Sequence, residues 1–485
     1  MRFKYSLLTL LAFAVVASMG TGEARAQAGD TLVVAWGDAD GNPIRNALRD
    51  AIANDTNRPD NRVYKLERGG FYWIEDPITA DGFDLHIVGA TSAPAGETDF
   101  GPAIIQRVAR ADQSVSGTMI QNSGDGADVT LKNIWIMGQD DQGILTTYEP
   151  LQLNANNARF VFDNVIFDRN NWHHLGVNGA NPDVFITNSV FRNLFGPTQQ
   201  WEGLGIRLEV GADTVVIENN TFLNIGFTPF QSEAAPANYL RFNHNTLVNV
   251  GRSLQAGALW KEAYFTNNVF VNPFWHGVGA ADLAGAEPDD DPFTGFFGIS
   301  ALPAQYGSDL ERRIVLANNS YWRDPAFASY YADTIRAQPL VNDTTMGYFE
   351  RYPSNMVYRD NFLEVNPGLA TYPADVIDEM IQSIRDLRAA VIPATEWFWD
   401  PGRDEECFVC NVWPLPEDFS YTNADLLSAG TDGLPLGDLN WFPAAKATFE
   451  ANKAEYVAEI ESMTEAVELD LIEIVEGESG SLEGD

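Results

Sequence analysis

The chain has 485 residues, 45% of them hydrophobic, and carries a formal net charge of −38 at pH 7. Only six of its thirty basic residues are lysine, which counts against a nucleic-acid partner, since that binding depends on neutralising phosphates. So acidic a surface suits high salt, where screening shortens self-repulsion; this points to a halophilic or marine bacterial source, with an ordinary acidic secreted protein as the alternative.

Residues 1–26 read as a secretory signal peptide: Arg2 and Lys4 at the start, an apolar stretch from Leu7 to Val16, and small residues around Ala24 and Ala26 for cleavage. The apolar run is too short to span a bilayer, and no later stretch reaches that length. The expectation is an exported protein, secreted or at the cell surface. Residues 43–52 place Ile44, Leu48 and Ile52 on one helical face. Residues 62–90 read as the first strands, including 63–66 and 85–88, and 89–126 as a long loop holding one more coil around Ala103 to Ile105.

From Val129 a phrase recurs seven times: an apolar pair spaced by two, then Asn, then an aromatic or aliphatic residue three further on. The anchors are Asn133, Asn164, Asn188, Asn219, His244, Asn267 and Asn318, spaced by 31, 24, 31, 25, 23 and 51 residues. Alternation is the strand signal, and repetition at this period means stacked units that bury their faces on one another. An inward amide in every coil would satisfy its hydrogen bonds through the amides above and below, about 4.8 Å away. Asn also tolerates the left-handed backbone of a sharp turn. A second polar column follows at Asn193, Asn224, Asn249 and Asn272.

The spacing and the Asn column resemble the right-handed parallel β-helix proteins of the pectate-lyase-like superfamily, over roughly residues 30–325. The resemblance implies an all-β solenoid with the 43–52 helix plugging its N-terminal end, where open strand edges need a cover. It implies a carbohydrate-active protein without choosing among lyases, glycosidases, esterases and non-enzymatic adhesins.

The 51-residue gap before Asn318 reads as an excursion that returns to a strand, and residues 356–366 as a last, poor coil. The division expected is 1–26 signal peptide, 27–370 β-helix, and 371–485 a helical and loop extension. In that extension 374–391 and 443–467 are helices, 431–443 wraps along the solenoid, and 473–485 is an acidic tail. Cys407 and Cys410 suit a local disulfide in an oxidising compartment.

Counting back from each anchor gives a further strand per coil, with an outward stripe of Gln152 and Asn154, His174 and Asn178, Arg207 and Glu209, Gln231 and Glu233, then Gln255. Lys261 follows on a turn, and Trp172, Trp201 and Trp260 flank the stripe. Polar groups beside aromatic faces suit a sugar polymer. For a polysaccharide lyase the expected machinery is Arg207, with Lys261 or Arg252, His174 nearby, and Glu209 and Glu233 holding Ca²⁺. Glu209 and Glu233 would also be the pair of a glycosidase, although the paired Asp and Gly-His-Gly motifs of the polygalacturonase branch are absent, and so are the Gln-Ala and Gln-Asp signatures of pectin methylesterases. Each residue also has a structural reading: Arg207 pairing with Glu209, His174 satisfying a turn, His244 replacing an Asn, the tryptophans packing loops, and Asp289 to Asp291 forming a solvated loop rather than a Ca²⁺ site. The function expected is a secreted lyase-like enzyme acting on an extracellular polysaccharide. The alternative is a non-catalytic carbohydrate-binding or structural surface protein.

Overall fold

A computed structural model describes residues 30–464 except 146–147, 233–234, 285, 287–289, 333, 394–396 and 405. The expected signal peptide, the expected acidic tail, Glu233 and Asp289 therefore lie outside the described residues.

The strands form three all-parallel sheets of eleven, ten and seven strands, which the chain visits in that order in each coil from Val63 to Ala256. That arrangement is compatible with a parallel β-helix. The phrase from Val129 onward supplies the eleven-stranded sheet, in which Val129, Phe160 and Val184 are register neighbours, as are Leu131, Phe162 and Ile186. All six are buried in one core. The residue three past each anchor falls on the ten-stranded sheet, where Phe167, Phe191 and Phe222 stack with centroids 4.3 and 4.8 Å apart. Such stacks add aromatic contact to ordinary apolar burial.

The seven anchors all take positive φ, between 52° and 60°, so their role at the corner is conformational. The inward amide is not the anchor but the residue after it. Asn220 Nδ2 donates to Asn245 Oδ1 at 3.0 Å, Asn245 to Asn268 at 3.1 Å, Asn268 to Asn319 at 2.8 Å and Asn319 to Asn361 at 3.0 Å. Each Nδ2 also caps a carbonyl of the coil before, such as Ile186 O for Asn220 and Ile217 O for Asn245. An αL residue turns the chain by a sharp angle, so its successor points into the coil. The anchors' own side chains face outward: Asn164 donates to Asn133 at 2.9 Å, whereas His244 Nε2 lies 2.8 Å from Asp432 and Asn267 donates to Thr431. The second column bonds coil to coil as well, Asn249 to Asn224 at 2.8 Å and Asn272 to Asn249 at 2.7 Å.

The N-terminal helix runs Ala47–Asn54 with Leu48 and Ile52 buried; Ile44 lies ahead of it and is exposed. Strands Phe71–Ile74 and Ile78–Asp81 fall within the expected first strands, whereas Thr31–Val34 and Ile120–Ser123 are additions to the sequence reading. The 51-residue gap is an excursion: Glu262–Thr266 pairs directly with Arg313–Ala317, and the excursion sends Phe296, Phe297 and Ile299 into the core. Met356–Arg359 pairs with Arg313–Ala317 as the last coil.

The C-terminal extension straps the outside of the sheets. Helix Ile377–Arg388 buries Ile377, Met380, Ile381 and Ile384 against an outer cluster that includes Phe195, Leu223, Val248 and Val271. Trp399 N donates to Asn193 Oδ1, Gln106 donates to Phe408 O, and Trp413 reaches Asp99 near the first coils. The chain then returns: Glu417 meets Arg192, Thr431 meets Asn267, and Asp438 meets Thr221. Helix Pro443–Glu461 closes the strap over the eleven-stranded sheet, pairing Lys453 with Glu218. Cys407 and Cys410 form a disulfide. No helix among the described residues is long and apolar enough to cross a membrane.

Candidate functional site

The seven-stranded sheet keeps its outer face free of the strap contacts just described. In register across it, one outward row reads Thr79, Gln121, Gln152, Gly176, Arg207, Gln231 and Ala256. The strands place these groups at steps of about 4.8 Å. Inward neighbours Leu151, Leu175, Ile206 and Phe230 fix which face is which. Arg207 is the one Lys or Arg within the seven strands.

Arg207 is held by two carboxylates. Its Nη2 pairs with Glu209, and its Nη1 lies 3.4 Å from Glu149 Oε1. Glu149, 4% exposed, also accepts from Gln152 Nε2 at 3.4 Å and Asn178 Nδ2 at 3.3 Å. Its carboxylate lies across Gly176, where a Cβ would collide with it. His173 Nδ1 faces Glu149 Oε1 at 3.9 Å, while its Nε2 donates to Gln231 Oε1. Burial lowers the His173 pKa to about 3; the Gln231 contact opposes that shift and Arg207 reinforces it. The imidazole is therefore neutral at ordinary pH.

Several expected site residues lie elsewhere. His174 points into the core rather than out: its ring packs 5.3 Å from Phe167, it is fully buried, and its nitrogens lack hydrogen-bond partners. Burial lowers its pKa to about 3, with Arg107 adding to the effect. The alternation breaks at the start of this strand, so His173 and not His174 meets the outward row. Gln255 pairs with Phe230 and so falls on the inward row, since a one-residue shift exchanges faces. Trp260 is core, stacked 6.1 Å from Phe230 with Nε1 bonded to Gly298 O. Trp172 stays at the row's edge, 5.0 Å from His173, and Trp201 is exposed.

Lys261 sits at the corner leading into the eleven-stranded sheet and donates to Asn238 Oδ1 at 2.9 Å, away from Arg207. Arg252 is buried, 2.9 Å from Asp282 and over the Phe274 ring. Glu209 remains beside Arg207, but its expected metal-binding partner, Glu233, lies outside the described residues. Among the described residues no group of three or more His, Cys, Asp and Glu side chains is gathered for a metal.

Sequence reading missed Glu149. It precedes its strand in Tyr148-Glu149-Pro150, where alternation says nothing about direction. The only hint was indirect: a glycine at 176, mid-strand, marks a place another group approaches.

The arrangement offers amides, a half-exposed cation and a half-exposed carboxylate along one flat row, over a buried carboxylate that fixes the cation. Such groups can hydrogen-bond hydroxyls and pair with a carboxylate. A scan against protein-family models finds no match for this chain, and a search of curated proteins finds none either.

Proposed function

We propose that this chain is a secreted carbohydrate-active protein, a right-handed parallel β-helix of the pectate-lyase-like kind, that binds an extracellular polysaccharide along the outer face of its seven-stranded sheet. The observation that carries the reading is the row Gln121, Gln152, Arg207, Gln231. Amide groups repeated at strand spacing match the repeated hydroxyls of a sugar chain, and Trp172 and Trp201 add apolar surface for ring faces. Turnover of the lyase type would use Arg207 against the uronic carboxylate, with Glu209 and a Ca²⁺ ion beside it. Proton transfer by His173 is disfavoured, because a 1% exposed, neutral ring does not reach a polymer on the surface.

A specific observation favours binding without turnover as the second reading. Arg207 already pairs with Glu149 and Glu209, so its charge is engaged before any substrate carboxylate arrives. Incubation with alginate, pectate or a glycosaminoglycan plus Ca²⁺ separates the two. Ultraviolet absorbance from new unsaturated ends, lost in Arg207→Ala, supports the lyase. Retained binding without absorbance or reducing ends supports the second reading. No binding to any of the three contradicts both.

A further inference from the structure

Where the strap turns from the solenoid into its last helix, an amine, a carboxamide and a buried carboxyl meet. Lys446, in the first turn of helix Pro443–Glu461, donates from Nζ to Asn440 Oδ1. The nitrogen of the same amide, Asn440 Nδ2, donates to Asp438 Oδ1 at 2.6 Å and to Asn219 O at 2.8 Å. A donor on Oδ1 and two acceptors on Nδ2 fix which way the amide faces. Its carbonyl looks toward the amine and its nitrogen toward the carboxyl. The amide carbon lies one C=O bond, about 1.2 Å, behind the oxygen that Lys446 already touches.

The three groups are held in this order by the fold. Asp438 caps the short turn Leu439–Trp441 by accepting from Asn440 N at 2.9 Å, so carboxyl and amide share one turn. Asp438 is 2% exposed and is fixed to the ten-stranded sheet by Thr221 Oγ1 at 2.8 Å. Burial raises its pKa to about 7 against its hydrogen bonds and the pull of Lys446, so it can carry a proton near neutral pH. The amide stands between amine and acid. That is the order amide exchange requires, with the nucleophile on the carbonyl side and a proton donor at the leaving nitrogen.

We infer that Lys446 and Asn440 join in an isopeptide bond, with Asp438 as the acid that promotes it. Nζ, having lost one proton to solvent, attacks Cγ of Asn440. Asp438 gives a proton to Nδ2, the Cγ–Nδ2 bond breaks and ammonia leaves. The new amide nitrogen sheds a proton that restores the acid. One C–N bond replaces another, so no oxidant or activated co-reactant takes part. The folded site supplies the driving arrangement by presenting amine and carbonyl to each other. The bond ties the last helix to the turn that Thr221 holds, and gives the strap a covalent tie besides the disulfide of Cys407 and Cys410.

Mass spectrometry of tryptic peptides from the full chain, incubated folded at neutral pH and then reduced and denatured, tests this. Trypsin needs a free lysine side chain, and no Lys or Arg lies between Arg403 and Lys446. The expected product is therefore a single peptide 404–453, lighter than its sequence by one ammonia and uncut after Lys446. Asp438→Ala, which keeps amine and amide, is expected to show the full mass and ordinary cleavage at Lys446, as is Lys446→Arg at its own cleavage site. Asn440→Asp is expected to lose water in place of ammonia. Melting curves confirm the fold of each variant. Full mass with cleavage at Lys446 in the wild type overturns the bond. So does ammonia loss with ordinary cleavage, which marks a succinimide at Asn440. A bond that forms equally fast in folded Asp438→Ala overturns the role of the acid.

Discussion

Gly176 lies beneath the carboxylate of Glu149, and any side chain at 176 would occupy the space that carboxylate fills. The missing Cβ lets a carboxylate from the preceding coil lie flat against the strand, where it meets Arg207, Gln152 and Asn178 together. One absent methyl group thereby sets the direction of the only cation on the row.

Gly176→Ala should therefore act on the site more than on the fold. A displaced Glu149 frees Arg207 to follow Glu209 alone, and oligosaccharide affinity should fall tenfold or more. Overpacking of this size costs about 1–3 kcal/mol, so melting should remain cooperative. Calorimetry beside a thermal melt checks both parts, and unchanged affinity would detach Glu149 from the site.

The internal Asn ladder should carry more stability than the anchors that advertise it. Asn245→Leu removes the acceptor shared by Asn220 N and Nδ2 and takes the side-chain donor from Ile217 O, while Asn268 Oδ1 keeps only the backbone N–H of residue 245. Buried groups orphaned in this way cost about 1–3 kcal/mol each, and a loss of about 3–5 kcal/mol is expected. Asn164→Gly keeps the left-handed corner available and gives up one exposed bond, so its cost should stay within about 1 kcal/mol. Urea denaturation midpoints compare the two.

Asp438 gives the strap a pH dependence. It is buried, accepts from Thr221 Oγ1 at 2.8 Å and Asn440 N at 2.9 Å, and burial raises its pKa to about 7 against those bonds. A carboxyl whose folded value lies above its unfolded one favours the folded state when protonated. Its contribution is full below about pH 4 and is lost as pH rises toward 7, with about 4 kcal/mol as the upper bound. Carboxylates held low, such as Glu218 beside Arg241 and Lys453, act oppositely at acid pH, so the difference from Asp438→Asn isolates the effect. The melting temperature of wild type relative to Asp438→Asn should drop between pH 4 and 7; a flat difference would contradict it.

Arg192 clamps the strap by facing Asp168, Asp400 and Glu417 at once, at 2.9, 2.6 and 2.6 Å. Its own pKa is raised by these acids despite burial, led by Asp400. Arg192→Met leaves several acids buried with less counter-charge, a change that typically costs about 3–5 kcal/mol. Limited proteolysis should then cut within residues 397–442 first, while the coils resist. Unchanged protection of the strap would show that its apolar contacts suffice.

How much of this was legible in the sequence follows from how local each signal is. Alternation around Val129 and its equivalents fixed the faces of the eleven-stranded sheet, because both neighbours of every residue are in the same strand. The anchors were legible as corners, but the inward amide was assigned one residue early. Alternation does not extend through an αL turn, and Asn219-Asn220 or Asn267-Asn268 offers either residue. His174 and Gln255 were misplaced for the same reason: short strands leave too few residues to pin the register. Glu149 was invisible because its role comes from Gly176, twenty-seven residues away. The wrapping of 431–443 was readable from its Gly-, Pro- and Trp-rich composition. The Arg192 cluster was not, since Asp168, Asp400 and Glu417 come together only through the tertiary path.

On the proposed function a sugar polymer lies along the outer row of the seven-stranded sheet. A crystal structure of the full chain soaked with alginate, pectate and glycosaminoglycan oligosaccharides tests it most directly. Sugar rings should lie over Gln152, Gly176, Arg207 and Gln231, with a guanidinium contact from Arg207. Oligosaccharide bound on the strap or on another sheet, with that row bare, would contradict it.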